Sequence, residues 1–208
     1  MFFEPGDHKA HGLPHNPFKA IVVPRPIGWI STRGTNGITN LAPYSFFNGL
    51  SDSPPVVFFS STGPSRALGV KDSQRNAEET GEFVCNFVTW ELRDKMNISS
   101  AALPFGESEL EKAGLTTAPC HFVNAPRVAE SPISMECRYL QTIDLPSDDP
   151  EKGNYTVLGQ VLGFHIKQSA LTDDGLINLA ALMPLSRLGY KDYTRVTDIF
   201  PMLRPGQV

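Results

Sequence analysis

The amino-acid sequence predicts a mainly β domain with peripheral helices, and three observations carry that prediction. Residues 25–61 read as strand, tight turn, strand, loop and strand. Residues 134–145 and 154–168 are long runs rich in β-formers, joined by the turn-prone Pro146-Ser147-Asp148-Asp149-Pro150, and read as one hairpin. Helical patterning is confined to short stretches between them, near 71–81, 90–102 and 106–114.

Taken in order, residues 1–18 are polar and carry His8, His11 and His15 among three prolines, which makes them an arm ahead of a single domain over 19–208. Residues 27–32 and 38–42 form two arms of a hairpin, with Asn36-Gly37 as a two-residue type I′ turn because both tolerate positive φ. Trp29 is expected in the core. Pro43 has no N–H to give a ladder, so pairing should stop there and a binding loop should begin at Ala42. The unbroken apolar run over 56–59 predicts a strand buried on both faces. Residues 71–81 read as a helix capped by Asp72 or Ser73 and stopped by Gly81, its free N–H groups able to hold an anion. Residues 82–89 return to the sheet. Leu92 and Met96 place one face of the 90–102 helix in the core. Glu107, Glu109 and Glu111 read as a solvated face of the 106–114 helix. Gly159 and Gly163 predict bulges or bends of the kind that close a small barrel.

Composition narrows the function by exclusion. A chain of 208 residues suffices for one large β domain, and no apolar run reaches the roughly 18–20 residues of a membrane span. With no basic, apolar leader at the start, the expectation is a cytoplasmic protein. A net charge of −4 without Lys/Arg clusters excludes an electrostatic footprint for nucleic acid or an anionic membrane and leaves a small molecule as the partner. Cys85, Cys120 and Cys137 lack paired spacing and read as buried reduced thiols, and His121 and His165 read as core histidines, so no metal site is expected. The signatures of Rossmann nucleotide sites, P-loops, α/β-hydrolases and zincins are absent.

The opening stretch remains as the candidate site. Arg25-Pro26-Ile27-Gly28-Trp29-Ile30-Ser31-Thr32, then Asn40-Leu41-Ala42-Pro43-Tyr44-Ser45-Phe46-Phe47, Asp52-Ser53-Pro54-Pro55-Val56-Val57, Lys71-Asp72-Ser73-Gln74-Arg75-Asn76 and Gly81-Glu82-Phe83 follow one another in order. This series resembles the flavin reductase-like family of FMN-binding split-barrel proteins, and it continues more loosely to Arg187-Leu188-Gly189-Tyr190. Ser73 stands where that family more often has threonine and keeps the hydroxyl.

The resemblance implies a six-stranded antiparallel, Greek-key-like split β-barrel, a homodimer, and FMN held without a covalent bond near the subunit interface. Ala42, Pro43, Tyr44 and Ser45 would lie along the isoalloxazine edge, with backbone N–H groups as donors. Ser31, Thr32 and Asn40 would contact the ribityl chain or ring edge. Lys71, Asp72, Ser73 and Asn76 would form the phosphate end, Asp72 chiefly as a helix cap. Arg25 would be either a second cation or an ion-pair partner. The implied activity is hydride transfer from NADH or NADPH to FMN, which requires no acid or base, so no catalytic side chain is assigned. The final acceptor is left open, an oxygenase or another electron acceptor. The alternative is an FMN-binding electron-transfer protein without nicotinamide turnover of its own.

Overall fold

The computed structural model describes residues 1–101 and 108–206. Its strands are β1 (Arg25–Pro26), β2 (Gly28–Arg33), β3 (Thr39–Tyr44), β4 (Phe47–Asp52), β5 (Pro55–Pro64), β6 (Glu82–Asn86), β7 (Thr117–Ala118), β8 (Arg127–Val128), β9 (Ile133–Leu145), β10 (Lys152–Ile166), β11 (Leu185–Arg187) and β12 (Tyr193–Arg195). Its α-helices are short: α1 (Phe18–Ile21), α2 (Asp72–Thr80), α3 (Arg93–Ile98), α4 (Glu109–Lys112) and α5 (Leu179–Leu182). No described helix is long and apolar enough to cross a membrane.

Seven strands form the main antiparallel sheet in the order β3-β2-β6-β9-β10-β5-β4, one more than the resemblance implies. The sheet curls. The Tyr44 ring on β3 lies 4.8 Å from that of Phe59 on β5, five places away in strand order, and Phe59 meets Phe83 of β6 edge-on at 5.3 Å. Six strands thus contribute to one apolar cluster that includes Ile30, Tyr44, Val57, Phe83, Cys137 and Val157. The strands wrap this core without closing a hydrogen-bonded cylinder, which is a split barrel. The opposite face of β2 and β3 is covered as well: Trp29 and Leu41 pack with Leu92, Met96 and Leu110 from the α3 and α4 region. Trp29 donates its indole N–H to Ser99 Oγ at 2.8 Å. β1, β11 and β12 make a smaller sheet that ties the tail to residue 25.

The β9–β10 hairpin shifts register between Leu158 and Gly159 and between Val161 and Gly163, at the two glycines that predict bends. At Gly159 a Cβ would lie 2.3 Å from Cζ of the fully buried Phe83. Gly159→Ala is therefore expected to cost about 1–3 kcal/mol by forcing Phe83 off its rotamer. A denaturant melt reads this directly, and an unchanged midpoint would refute the packing argument.

Several local expectations are corrected. The β2–β3 connection is a longer loop than Asn36-Gly37: Gly34 N–H bonds Ile38 O at 2.9 Å, Gly37 N–H bonds Gly34 O at 2.9 Å, and only Gly37 has positive φ, 80°. Asn36 keeps ordinary φ because its side-chain oxygen accepts the Ile38 N–H at 3.0 Å. The 56–59 run alternates, with Val57 and Phe59 inward and Val56 and Phe58 half-buried. The stretch from Trp90 opens as a 3₁₀ turn (Trp90–Leu92) before α3. Ala102, Gly106 and Glu107, which the sequence places in helices, lie outside the described residues.

Candidate cofactor site

β3 is an edge strand, and its open side forms one wall of a cavity of about 560 Å³. Leu41 turns its N–H away from β2 and donates to Glu109 Oε2 at 3.1 Å. Pro43 shares Leu41's parity, so its missing donor falls on the open edge and the ladder runs unbroken through Tyr44 opposite Gly28. This corrects the expectation that Pro43 ends the pairing. Ala42 and Tyr44 have the other parity, and their N–H groups belong to the ladder. The backbone groups left to face the cavity are the Pro43 carbonyl and Ser45, the first residue past the ladder.

The opposite wall is the start of α2. Lys71 is the N-cap residue and makes no side-chain capping bond. Asp72 pairs with Arg75 instead of capping, and Ser73 Oγ accepts from Asn40 Nδ2 at 2.7 Å. The first turn of a nine-residue helix therefore presents N–H groups without a side-chain cap. Gly81 ends the helix as expected, its N–H on Ala77 O at 3.0 Å.

Two ammonium groups line this cavity, Lys71 and Lys19. Among the described residues neither has a carboxylate within ion-pair reach. Burial, and then repulsion from Lys19, holds the Lys71 pKa below the ordinary lysine value. Burial pushes the Tyr44 phenol up to about 12, aided by Asp72 and Glu109 and opposed by the Ser73 hydroxyl. Glu109 is only 8 % exposed, not on a solvated face; burial raises its pKa against the pull of the Leu41 N–H.

Residues 20–185 match the Flavin reductase like domain. The chain belongs to the flavin reductase-like family. An uncharacterized protein of Aquifex aeolicus is 37% identical over 175 residues, covering 84% of this chain and 86% of that protein. Nitrilotriacetate monooxygenase component B from Bacillus cereus superposes with a TM-score of 0.86 at 29% identity, over 97% of this chain and 98% of that one. A split-barrel-domain protein from Shewanella frigidimarina NCIMB 400 gives a TM-score of 0.80 at 21% identity, over 98% and 100% of the two chains, a likeness of fold.

In this flavin reductase-like chain, the cavity gathers Asn40, Ala42, Pro43, Tyr44, Ser45, Lys71, Asp72 and Ser73 from the residues that the sequence nominates. Ser31, Thr32 and Asn76 are outside its lining and are buried. The Ser31 hydroxyl donates to Pro126 O at 2.6 Å and accepts from Asn86 Nδ2 at 2.9 Å, so its one donor is committed to the interior. Asn76 Nδ2 donates to Thr32 Oγ1 at 3.0 Å and ties α2 to β2 behind the cavity. Arg25 is outside the lining of this cavity and forms no ion pair among the described residues. It is 5 % exposed and donates to the carbonyls of Lys19, Val22 and Leu188 at 2.5–2.9 Å. By gripping Lys19 O and Val22 O it fixes α1, which brings the Lys19 ammonium to the cavity. Sequence reading misses Lys19 because nothing near residue 19 signals that this turn docks beside α2.

Proposed function

We propose that the family's flavin site in this chain is the Lys19–Lys71 cavity and that its ligand is FMN. The observation that carries this reading is the convergence of two ammonium groups, with no carboxylate in ion-pair reach among the described residues, on a helix start without a side-chain cap. Such a junction repels itself until an anion arrives, and a phosphate dianion matches it in charge and acceptor geometry. Lys71, Lys19, Ser73 and the first N–H groups of α2 would hold the phosphate. Asn40 and Ala42 to Ser45 would hold the ribityl chain and ring edge, with the Ser45 N–H as the backbone donor. The volume falls within the ~300–1,000 Å³ of ligand pockets.

When bound, FMN supplies a hydride acceptor and an electron relay. The protein's part is to fix the ring against the β3 edge and to neutralise the phosphate. A second cavity of about 310 Å³ shares Lys19, Pro43, Ser45 and Ser100 with the first and adds Arg187, Tyr190 and Tyr193. Arg25 lines it too, and the cavity supports room for a second ligand beside the flavin, which we assign to NADH or NADPH. The likeness to a monooxygenase component B supports an oxygenase as the acceptor of reduced flavin, and the chain would work as a homodimer.

The reading predicts a yellow protein whose flavin absorbance bleaches anaerobically with NADH or NADPH. A flavin-loaded protein that neither nucleotide reduces would contradict the reductase activity while leaving the binding site intact.

A further inference from the structure

A second cluster of chemistry-bearing side chains lies away from the flavin cavity. Cys120, Glu136 and His165 offer ligand atoms that all lie within 4.8 Å of one another, and none of them lines the Lys19–Lys71 cavity. We propose that these three residues form a zinc site that clamps the loop over residues 119–126 to the β9–β10 hairpin.

Glu136 is 1 % exposed, and its position is fixed by three consecutive backbone donors of that loop: His121 N–H at 2.7 Å, Phe122 N–H at 2.6 Å and Val123 N–H at 3.2 Å. A carboxylate held from behind in this way is oriented as metal-binding carboxylates are. His165 Nε2 stands 2.5 Å from Glu136 Oε1, and Cys120 supplies the third donor at the half-buried mouth. His165 is half-buried with its ring hydrogen-bonded to Glu136, as expected of an interior histidine with a satisfied hydrogen bond. His121, also expected in the core, is exposed and stacks on the His165 ring at 5.4 Å.

Thiolate, imidazole and carboxylate together are a zinc donor set, and their summed charge of about −2 cancels that of Zn²⁺. A tetrahedral site needs donor separations of about 3.3–3.6 Å, so the Glu136–His165 contact opens by roughly 0.8 Å and Cys120 moves inward. The thiol proton leaves to solvent, and the imidazole takes its Nδ1–H form so that Nε2 can bind. A histidine–carboxylate pair that serves only packing has no use for the thiol, which makes Cys120 the discriminating residue. The clamped loop ends at Pro126, whose carbonyl accepts the Ser31 hydroxyl of β2.

The test uses the full chain as purified, stripped with a chelator and titrated with Co²⁺, then Zn²⁺. One equivalent of Co²⁺ is expected to raise a thiolate-to-cobalt charge-transfer band that Zn²⁺ abolishes. Cys120→Ser and His165→Ala should each lose the band and weaken Zn²⁺ binding by more than the ~10–100-fold typical of an outer-shell change. Unchanged FMN content reports that the variants are folded. Absence of the band in the parent protein, or equal Zn²⁺ affinity in Cys120→Ser, overturns the site.

Discussion

Glu136→Ala is expected to destabilise the metal-free protein by about 3–5 kcal/mol. The side chain joins β9 to its neighbour β10 and to a loop, accepting three backbone N–H groups and facing His165. Its removal strands those donors beneath Val123 and Ala125, part of the apolar cluster with Val84. The effect also depends on pH. Burial alone would raise the Glu136 pKa, but the His121 and Phe122 N–H groups and His165 outweigh it and hold the pKa below the usual carboxylate value. A carboxylate with a depressed folded-state pKa contributes stability above its unfolded pKa and loses it as pH falls through the folded one. The gap between parent and variant in chemical denaturation should therefore be widest near neutrality and close in acid. A midpoint shift worth less than about 1 kcal/mol at pH 7 would mean that water replaces the carboxylate.

Lys71→Ala is expected to weaken FMN binding by about 10–100-fold, the ~1.5–3 kcal/mol of a hydrogen bond to a charged group. Lys19→Ala should cost less, since Lys19 sits on α1 at the cavity's rim and leaves the N–H groups of α2 in place. The two losses should not add, because the two ammonium groups repel each other, which after burial is the second cause of the lowered Lys71 pKa. In the parent protein, affinity should fall as pH rises through a Lys71 pKa below the ordinary lysine value, and in Lys71→Ala that alkaline limb should flatten.

What the sequence conveys about this protein is mostly what lies along one strand. The 134–145 and 154–168 runs become β9 and β10 nearly to the residue, because β-former composition and turn chemistry are local. Gly159 and Gly163 announce the bulges, since a Cβ at Gly159 has nowhere to go. The order of fragments from Arg25 to Phe83 conveys the family. Parity against a partner strand is not local: Pro43 reads as a breaker until Leu41's bond to Glu109 shows that its missing donor falls on an open edge. Ser31 reads as a ligand hydroxyl until Asn86 and Pro126 close around it. Lys19, Glu109 and the Cys120–Glu136–His165 cluster are invisible for the same reason, because each is assembled by segments far apart in sequence.

The central claim is that Lys71 and the start of α2 hold the phosphate of FMN. Comparing FMN with riboflavin in the parent protein and in Lys71→Ala isolates that contact, since the two ligands differ only by the phosphate. Fluorescence titration should show FMN bound much more tightly than riboflavin by the parent, a preference that shrinks about 10–100-fold in Lys71→Ala while riboflavin affinity stays the same. An equal loss for both ligands, or a preference that survives the substitution intact, would place the phosphate elsewhere.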